Sequence, residues 1–317
     1  MIIFWKVFES IVILLGIGVV GFTIISRKIV SIKILDVISP LILDIALPCL
    51  IFTNIINRFD PIIFPEWWTL PLWWIGFSAV IILLSLIGMR LIKKAYRPEF
   101  GMSLLYPNSI FVPIVIIQNL FGDSSSILVE LFIFTLFFPA FMFNTYHLFY
   151  KSKNSVKNKI NWGKFINPIL IVTILAVLLR LTGISENIPN AILSITKIIG
   201  NTALPLILLL IGGNVYIDFQ KKGKIQISSI LLFVTLKNFI FPLIILALLI
   251  AIKPPFSVAF LIFLISAVPP VTTIPILAIK AGGNTSITNQ FLISSFLVSI
   301  ISIPLLMWIF EYYFTIN

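Results

Sequence analysis

Long apolar runs follow one another along this chain, each about as long as a bilayer crossing, with short polar breaks between them. None alternates polar and apolar positions with period two, so the runs predict membrane helices rather than barrel strands. At ~20 residues per crossing, they predict ten spans: 2–26, 34–57, 67–92, 99–120, 126–150, 165–183, 189–215, 226–252, 257–280 and 286–313. No extended hydrophilic segment remains for a soluble domain, so the chemistry is expected inside the bundle or in short loops. The first run follows Lys6 as a signal peptide would, but it is too long for a secretory apolar segment. Gly21-Phe22-Thr23 before Arg27-Lys28 also lacks a small-x-small cleavage site, so the run is read as the first span.

Two of the runs carry the same proline frame. Tyr106-Pro107-Asn108-Ser109-Ile110-Phe111-Val112-Pro113 lies in the fourth span and Val268-Pro269-Pro270-Val271-Thr272-Thr273-Ile274-Pro275 in the ninth. Proline removes a backbone donor and clashes with the preceding turn, so both helices are expected to break. The halves match elsewhere in the same order. Asp44-Ile45-Ala46-Leu47-Pro48 answers Asn201-Thr202-Ala203-Leu204-Pro205, and Phe138-Pro139 answers Ile303-Pro304. Five spans per half is an odd number, which inverts the second half. The expected fold is therefore all-α, with ten transmembrane helices in two inverted five-helix repeats and broken, crossing fourth and ninth helices. Residues 1–150 form the first repeat, 151–164 a cytoplasmic linker and 165–317 the second repeat.

Composition and charge place this bundle in a membrane. Hydrophobic residues make up 60% of the chain and charged ones 10%, with mean hydropathy +1.15, far from the soluble range. The net charge of +11 is confined largely to alternate loops. Arg27, Lys28 and Lys33 lie in the first loop, and Arg90, Lys93, Lys94 and Arg97 in the third. Lys151, Lys153, Lys157, Lys159 and Lys164 lie in the fifth, and Lys221, Lys222 and Lys224 in the seventh, against Arg58, Arg180 and Lys253 in the others. This asymmetry puts the basic loops in the cytoplasm of a multi-pass plasma-membrane protein with both termini outside. Trp67, Trp68, Trp73 and Trp74 then sit near the outer interface. Anionic lipid, and not nucleic acid, is the expected partner of the basic loops. Cys49 is the sole cysteine, which excludes an internal disulfide.

Several segments resemble the signatures of the auxin efflux carrier family: Leu47-Pro48-Cys49-Leu50-Ile51-Phe52, Pro107-Asn108, Ile211-Gly212-Gly213, Lys237-Asn238-Phe239-Ile240-Phe241-Pro242 and Ser266-Ala267-Val268-Pro269-Pro270. The ninth-span segment, running on to Ala278 and Gly282-Gly283, is the most specific. The family contains plant auxin exporters and prokaryotic permeases for malate, malonate and similar acids, and the chain looks like a prokaryotic member. Members often have glycines after the first Pro-Asn, where this chain has Ser109, Ile110 and Phe111, and the long loop of many plant exporters is absent. The resemblance implies that the broken spans cross at the substrate site and that an asparagine on the fifth span contacts substrate, Asn144 being the nearest candidate. It also implies a possible homodimer.

Broken helices at the midplane expose N-terminal N–H groups suited to a carboxylate. Asn108 adds a carboxamide, and Thr272 and Thr273 add hydroxyls at the corresponding place. The candidate substrate site is thus Pro107, Asn108, Pro113, Asn144, Pro269, Pro270, Thr272 and Thr273. Asp44 and Lys237 lie at membrane depth, where ionisable groups are costly and functional by default; they are candidates for coupling to a proton or sodium ion. Asp36 and Glu130 read as interfacial. His147 is the only histidine and no Cys/His/carboxylate set accompanies it, so neither a metal nor a cofactor is expected. Gly212-Gly213 lacks the Gly-Lys-Ser/Thr of a phosphate loop and suggests close helix packing or local unwinding.

The leading function is a secondary permease for small organic anions, carboxylates such as malate, malonate or an auxin-like acid, working by alternating access around the crossed helices. With no nucleotide-binding motif, an ion gradient or the cargo's own gradient must drive it. Export of an anion from a negative interior gains about 2.3 kcal/mol per charge per 100 mV, so uniport is also feasible. An intramembrane enzyme would need paired carboxylates, a nucleophile elbow or a metal set, and none is found. A passive anion channel or a membrane sensor is the alternative, although a channel needs a continuous polar pore.

Overall fold

The structure is a computed structural model that describes residues 2–122, 125–150, 167–220 and 223–314. The linker expected at 151–164 lies outside the described residues. Regular structure among them is helical apart from one isolated β-bridge. In order, the helices are α1 (Ile2–Ser26), α2 (Ile34–Pro40), α3 (Leu47–Arg58), α4 (Leu70–Leu91), α5 (Arg97–Leu105), α6 (Phe111–Phe121), α7 (Ser126–Phe134) and α8 (Phe138–Thr145). They continue as α9 (Pro168–Leu181), α10 (Asn190–Asn201), α11 (Ala203–Gln220), α12 (Ile227–Thr235), α13 (Phe241–Ile252), α14 (Phe256–Ala267), α15 (Ile274–Lys280) and α16 (Thr285–Tyr313). A π turn, Leu41–Ala46, joins α2 to α3, and a second, Leu236–Ile240, joins α12 to α13.

Prolines set many of these starts. Pro71, Pro98, Pro139, Pro168 and Pro275 each stand in the first two positions of a helix, where a missing N–H costs nothing; Pro48 and Pro242 hold the same positions in helices that continue directly from the π turns. Among the described residues, seven helical segments are long and apolar enough to cross a membrane, and they coincide with seven of the expected spans. The other three expected spans hold shorter apolar helices, Phe111–Phe121, Pro168–Leu181 and Phe256–Ala267. In the fourth and ninth spans the reason is the break itself, which divides each into two half-helices, α5/α6 and α14/α15.

The Phe138-Pro139 and Ile303-Pro304 match does not carry through to local structure. Pro139 opens α8 after the turn that ends α7, whereas Pro304 sits inside the unbroken α16. Glu130 also departs from the interfacial reading. It is buried on α7, 7% exposed, and within hydrogen-bonding range of Ser257 on α14, because the fifth span packs against the ninth rather than facing headgroups.

The helices sort into two groups by packing. The segments α1, α2, α3, α9, α10 and α11 pack on one another, and α4–α8 pack with α12–α16. The groups meet chiefly where α1 lies on α6 and α16, and α3 on α7. Inside the first group, α1 and α11 approach to backbone contact. A Cβ on Gly212 would collide with the Gly18 carbonyl, and one on Gly21 with the Leu209 carbonyl. Since α11 is helical through Gly212-Gly213, these glycines serve close packing and not unwinding. In the second group, Phe100, Phe233 and Phe291 tie α5, α12 and α16, with ring centroids 4.6 to 5.6 Å apart.

Candidate functional site: a backbone crossing beside a cavity

The two proline breaks meet. Asn108 N–H donates to the Pro269 carbonyl at 2.8 Å, and Val271 N–H donates to the Tyr106 carbonyl at 3.0 Å, so Pro107 faces Pro270 in an antiparallel bridge. Four groups that the breaks would leave unpaired thereby satisfy one another, which is what interrupted helices in hydrocarbon require. The pairing corrects the register read from the prolines. The quoted frames are 162 positions apart (268 − 106), but the facing prolines (270 − 107) and the starts of α6 and α15 (274 − 111) are 163 apart. Pro113 is therefore the third residue of its helix and Pro275 the second. Ser109 and Ile110, and not Asn108, correspond to Thr272 and Thr273.

Beside the crossing lies a cavity of about 210 Å³. One wall is Asn108, Ser109, Ile110 and Phe111 with Val271, Thr272 and Thr273; Phe138, Pro139, Met142 and Phe143 of α8 flank it. The opposite wall comes from the first helix group: Ser39 to Leu47 around the first π turn, Asn167 to Ile169 at the start of α9, and Ile207, Leu210 and Asn214 on α11. The cavity thus lies between the two groups of helices. Its lining is mostly aliphatic and aromatic.

Asn108 is the best-placed polar group. It is 1% exposed, and its Oδ1 accepts from Phe111 N–H at 3.2 Å, at the first turn of α6. That bond fixes the orientation of the amide and leaves Nδ2 buried and without a partner, on a residue of the cavity wall. A buried donor without a partner costs about 1–3 kcal/mol, so an acceptor supplied by a ligand would relieve it. Thr272 is buried in the same wall, and half-buried Thr273 places Oγ1 3.8 Å from Met142 Sδ.

Pro107, Pro269 and Pro270 build the crossing behind the wall, and Pro113 is buried in α6; none of the four lines the cavity. Asn144 is also outside the lining. Its Nδ2 donates to the Ala140 carbonyl one turn back at 2.9 Å. Met142 and Phe143 of the same helix do line the cavity.

Asp44 and Lys237 are far apart in role. Asp44 is exposed in the cavity wall. Lys237 is 1% exposed on the second π turn, and its Nζ donates to the Ser266 carbonyl at 3.1 Å. Ser266 is in the last turn of α14, where carbonyls lack helical donors, so the lysine caps the half-helix that runs into the crossing. Its neighbour Asn238 points the other way: Nδ2 donates to the Ser295 carbonyl and the Ser302 hydroxyl, and Oδ1 accepts from Ser295 Oγ at 2.8 Å. The two residues pin the broken ninth span and α16 to one another.

His147 lies half-buried in a short 3₁₀ turn, Tyr146–Phe149, edge-on to the Tyr146 ring. Glu99, in the first turn of α5, is 3% exposed and accepts from Asn284 N–H at 2.7 Å. It ties the start of the fourth span to the start of α16. Ser39, Ser109, Asn167 and Asn214 are cavity residues that the sequence reading did not single out. Asn214 was within reach, since it follows the Gly212-Gly213 pair. Asn167 offered only a linker boundary.

Long apolar helices, two of the spans interrupted and crossing beside an internal cavity, define a multi-pass membrane protein with an interior site. Residues 6–307 match the family described as membrane transport protein. The chain belongs to it: this is the auxin efflux carrier family of membrane transporters, which are not enzymes. No match to the chain is found among curated proteins.

Proposed function

We propose that this transporter is a secondary carrier for a small monocarboxylate with an apolar body. The observation that carries the reading is the unpartnered Nδ2 of Asn108 at the wall of a largely apolar cavity. One donor end suits one carboxylate. Among the described residues no lysine, arginine or histidine lines the cavity, so a second carboxylate, as in malate or malonate, would meet Ile42, Leu47, Phe111 or Asp44 with nothing to offset it. An aromatic or aliphatic body in that space gains about 25 cal/mol per Å² of apolar surface removed from water.

The carrier reading takes the full ten-span, inverted five-plus-five arrangement, with the broken fourth and ninth spans as its centre. Basic loops then place Ser39 and Asn167 towards the cytoplasm, and the cavity opens inward in the plasma membrane. Alternating access follows if the group containing the crossing moves against the group containing α1 and α11. Lys237 and Asn238 keep the broken ninth span and α16 together through that motion.

The test is counterflow in proteoliposomes. Radiolabelled 3-phenylpropionate and indole-3-acetate are expected to exchange saturably, and malate and malonate to compete at least tenfold more weakly. Equal competition by the dicarboxylates would remove the monocarboxylate reading. Ohmic, non-saturating current would point to a channel.

A further inference from the structure

Among the described residues the cavity wall carries one ionisable side chain, Asp44. A carboxylate held at Asn108 would share the cavity with this second carboxylate, which is exposed in the wall, and like charges lining one cavity repel. The backbone around Asp44 adds to the imbalance. Leu47 N–H bonds to the Ile42 carbonyl, five residues back, and so does not serve the Leu43 carbonyl as it would in an α-helix. The next residue, Pro48, has no N–H to offer the Asp44 carbonyl. Leu43 and Asp44 both line the cavity. The π turn therefore gathers a carboxylate and carbonyls stripped of their usual helical donors at one place in the wall. Acceptors gathered on an interrupted membrane helix are the usual seat of a coupling cation.

Among the described residues nothing else in the wall carries a charge that can neutralise them. The turn packs against α2, α3, α9, α10 and α11. Their charged residues with described side chains are Asp36, Arg58, Arg180 and Lys197, and none lines the cavity. Arg58 donates to Asn54 and Arg180 to the Phe59 carbonyl. Lys237 belongs to the other helix group and donates to Ser266.

We propose that the cavity takes its carboxylate together with one monovalent cation, a proton or a sodium ion, held by Asp44 and the neighbouring carbonyl groups of the π turn. The inference rests on the carboxylate reading above. Anion and cation entering together leave the loaded cavity with no more charge than the empty one, so a cation gradient can drive the cargo.

Isothermal titration of the purified full-length chain with 3-phenylpropionate, across pH and across sodium at constant ionic strength, tests it. One cation per anion gives about a tenfold change in apparent affinity per pH unit, or per tenfold change in sodium, below saturation. The pH series identifies a proton and the sodium series a metal ion. Asp44→Asn is expected to flatten whichever dependence is seen, while Asn108→Ser weakens binding and keeps the slope. Affinity in the wild type that is indifferent to both cations overturns the proposal, as does a slope that survives Asp44→Asn. If Asp44→Asn does not fold, Asp44→Ser takes its place, and the wild-type slopes decide by themselves. No binding of the probe by wild type would instead overturn the carboxylate reading, and this inference with it.

Discussion

Asn108→Ser separates the structural work of Asn108 from its proposed work on cargo. Oδ1 accepts from Phe111 N–H at 3.2 Å, and the buried Nδ2, without a partner, is the group proposed to meet cargo. A serine hydroxyl can still accept from a backbone N–H near a helix start, but it is too short to replace Nδ2. A hydrogen bond to a charged group is worth ~1.5–3 kcal/mol, so its loss should weaken carboxylate binding roughly 10- to 150-fold at about 1.4 kcal/mol per decade. Asn108→Ala removes the acceptor as well and should cost a further ~1 kcal/mol in stability. Asn144→Ala is the control. Its amide is bonded to the Ala140 carbonyl outside the cavity, so binding should stay within about twofold of wild type by the same hydrogen-bond arithmetic. The assay is titration calorimetry with 3-phenylpropionate, with thermal unfolding in detergent as the fold control. Wild-type-like affinity in Asn108→Ser, or an equal loss in Asn144→Ala, would refute the assignment of Nδ2 as the ligand's donor.

Gly212→Ala should lower the thermal midpoint sharply, since overpacking costs ~1–3 kcal/mol and here the clash is with the Gly18 backbone; Gly16→Ala, whose added Cβ meets no neighbouring atom within 4 Å, should be tolerated. Lys237→Met keeps the volume but leaves the Ser266 carbonyl without its donor; a loss of ~1–3 kcal/mol and slower counterflow are expected, and unchanged values for both would dismiss the capping role. Glu99→Gln should retain the bond from Asn284 N–H while Glu99→Ala loses it, so unfolding measurements should rank wild type and Gln together, above Ala.

Much of this was legible from residue order alone. Proline chemistry announced both breaks, because a missing N–H acts locally and needs no tertiary partner. Register was not legible: Pro107 and Pro113 line up with Pro269 and Pro275 in the text of the sequence, but backbone pairing slips them by one. The second double proline allows that slip, since Pro270 has no N–H and the exchange must use Val271. Asn144 shows a second limit. A polar residue in a membrane helix can satisfy itself on its own preceding turn, and nothing in its identity tells that from a ligand contact. Glu130 looked interfacial by its position in the span, yet its surroundings are set by a partner helix more than a hundred residues away.

The crossing is held by main-chain atoms: two N–H groups, which every residue except proline can supply, and two carbonyls, which every residue supplies, Pro269 included. It imposes almost no demand on the side chains around it, provided that positions 108 and 271 are not proline. On the proposed reading, cargo preference can therefore be rewritten by design at Thr272, Met142 and Phe143, and at Asn108 by residues that keep an acceptor for Phe111 N–H, without putting the joint at risk. A library varied in this way at those four positions should yield mostly inserted, folded protein with altered ligands.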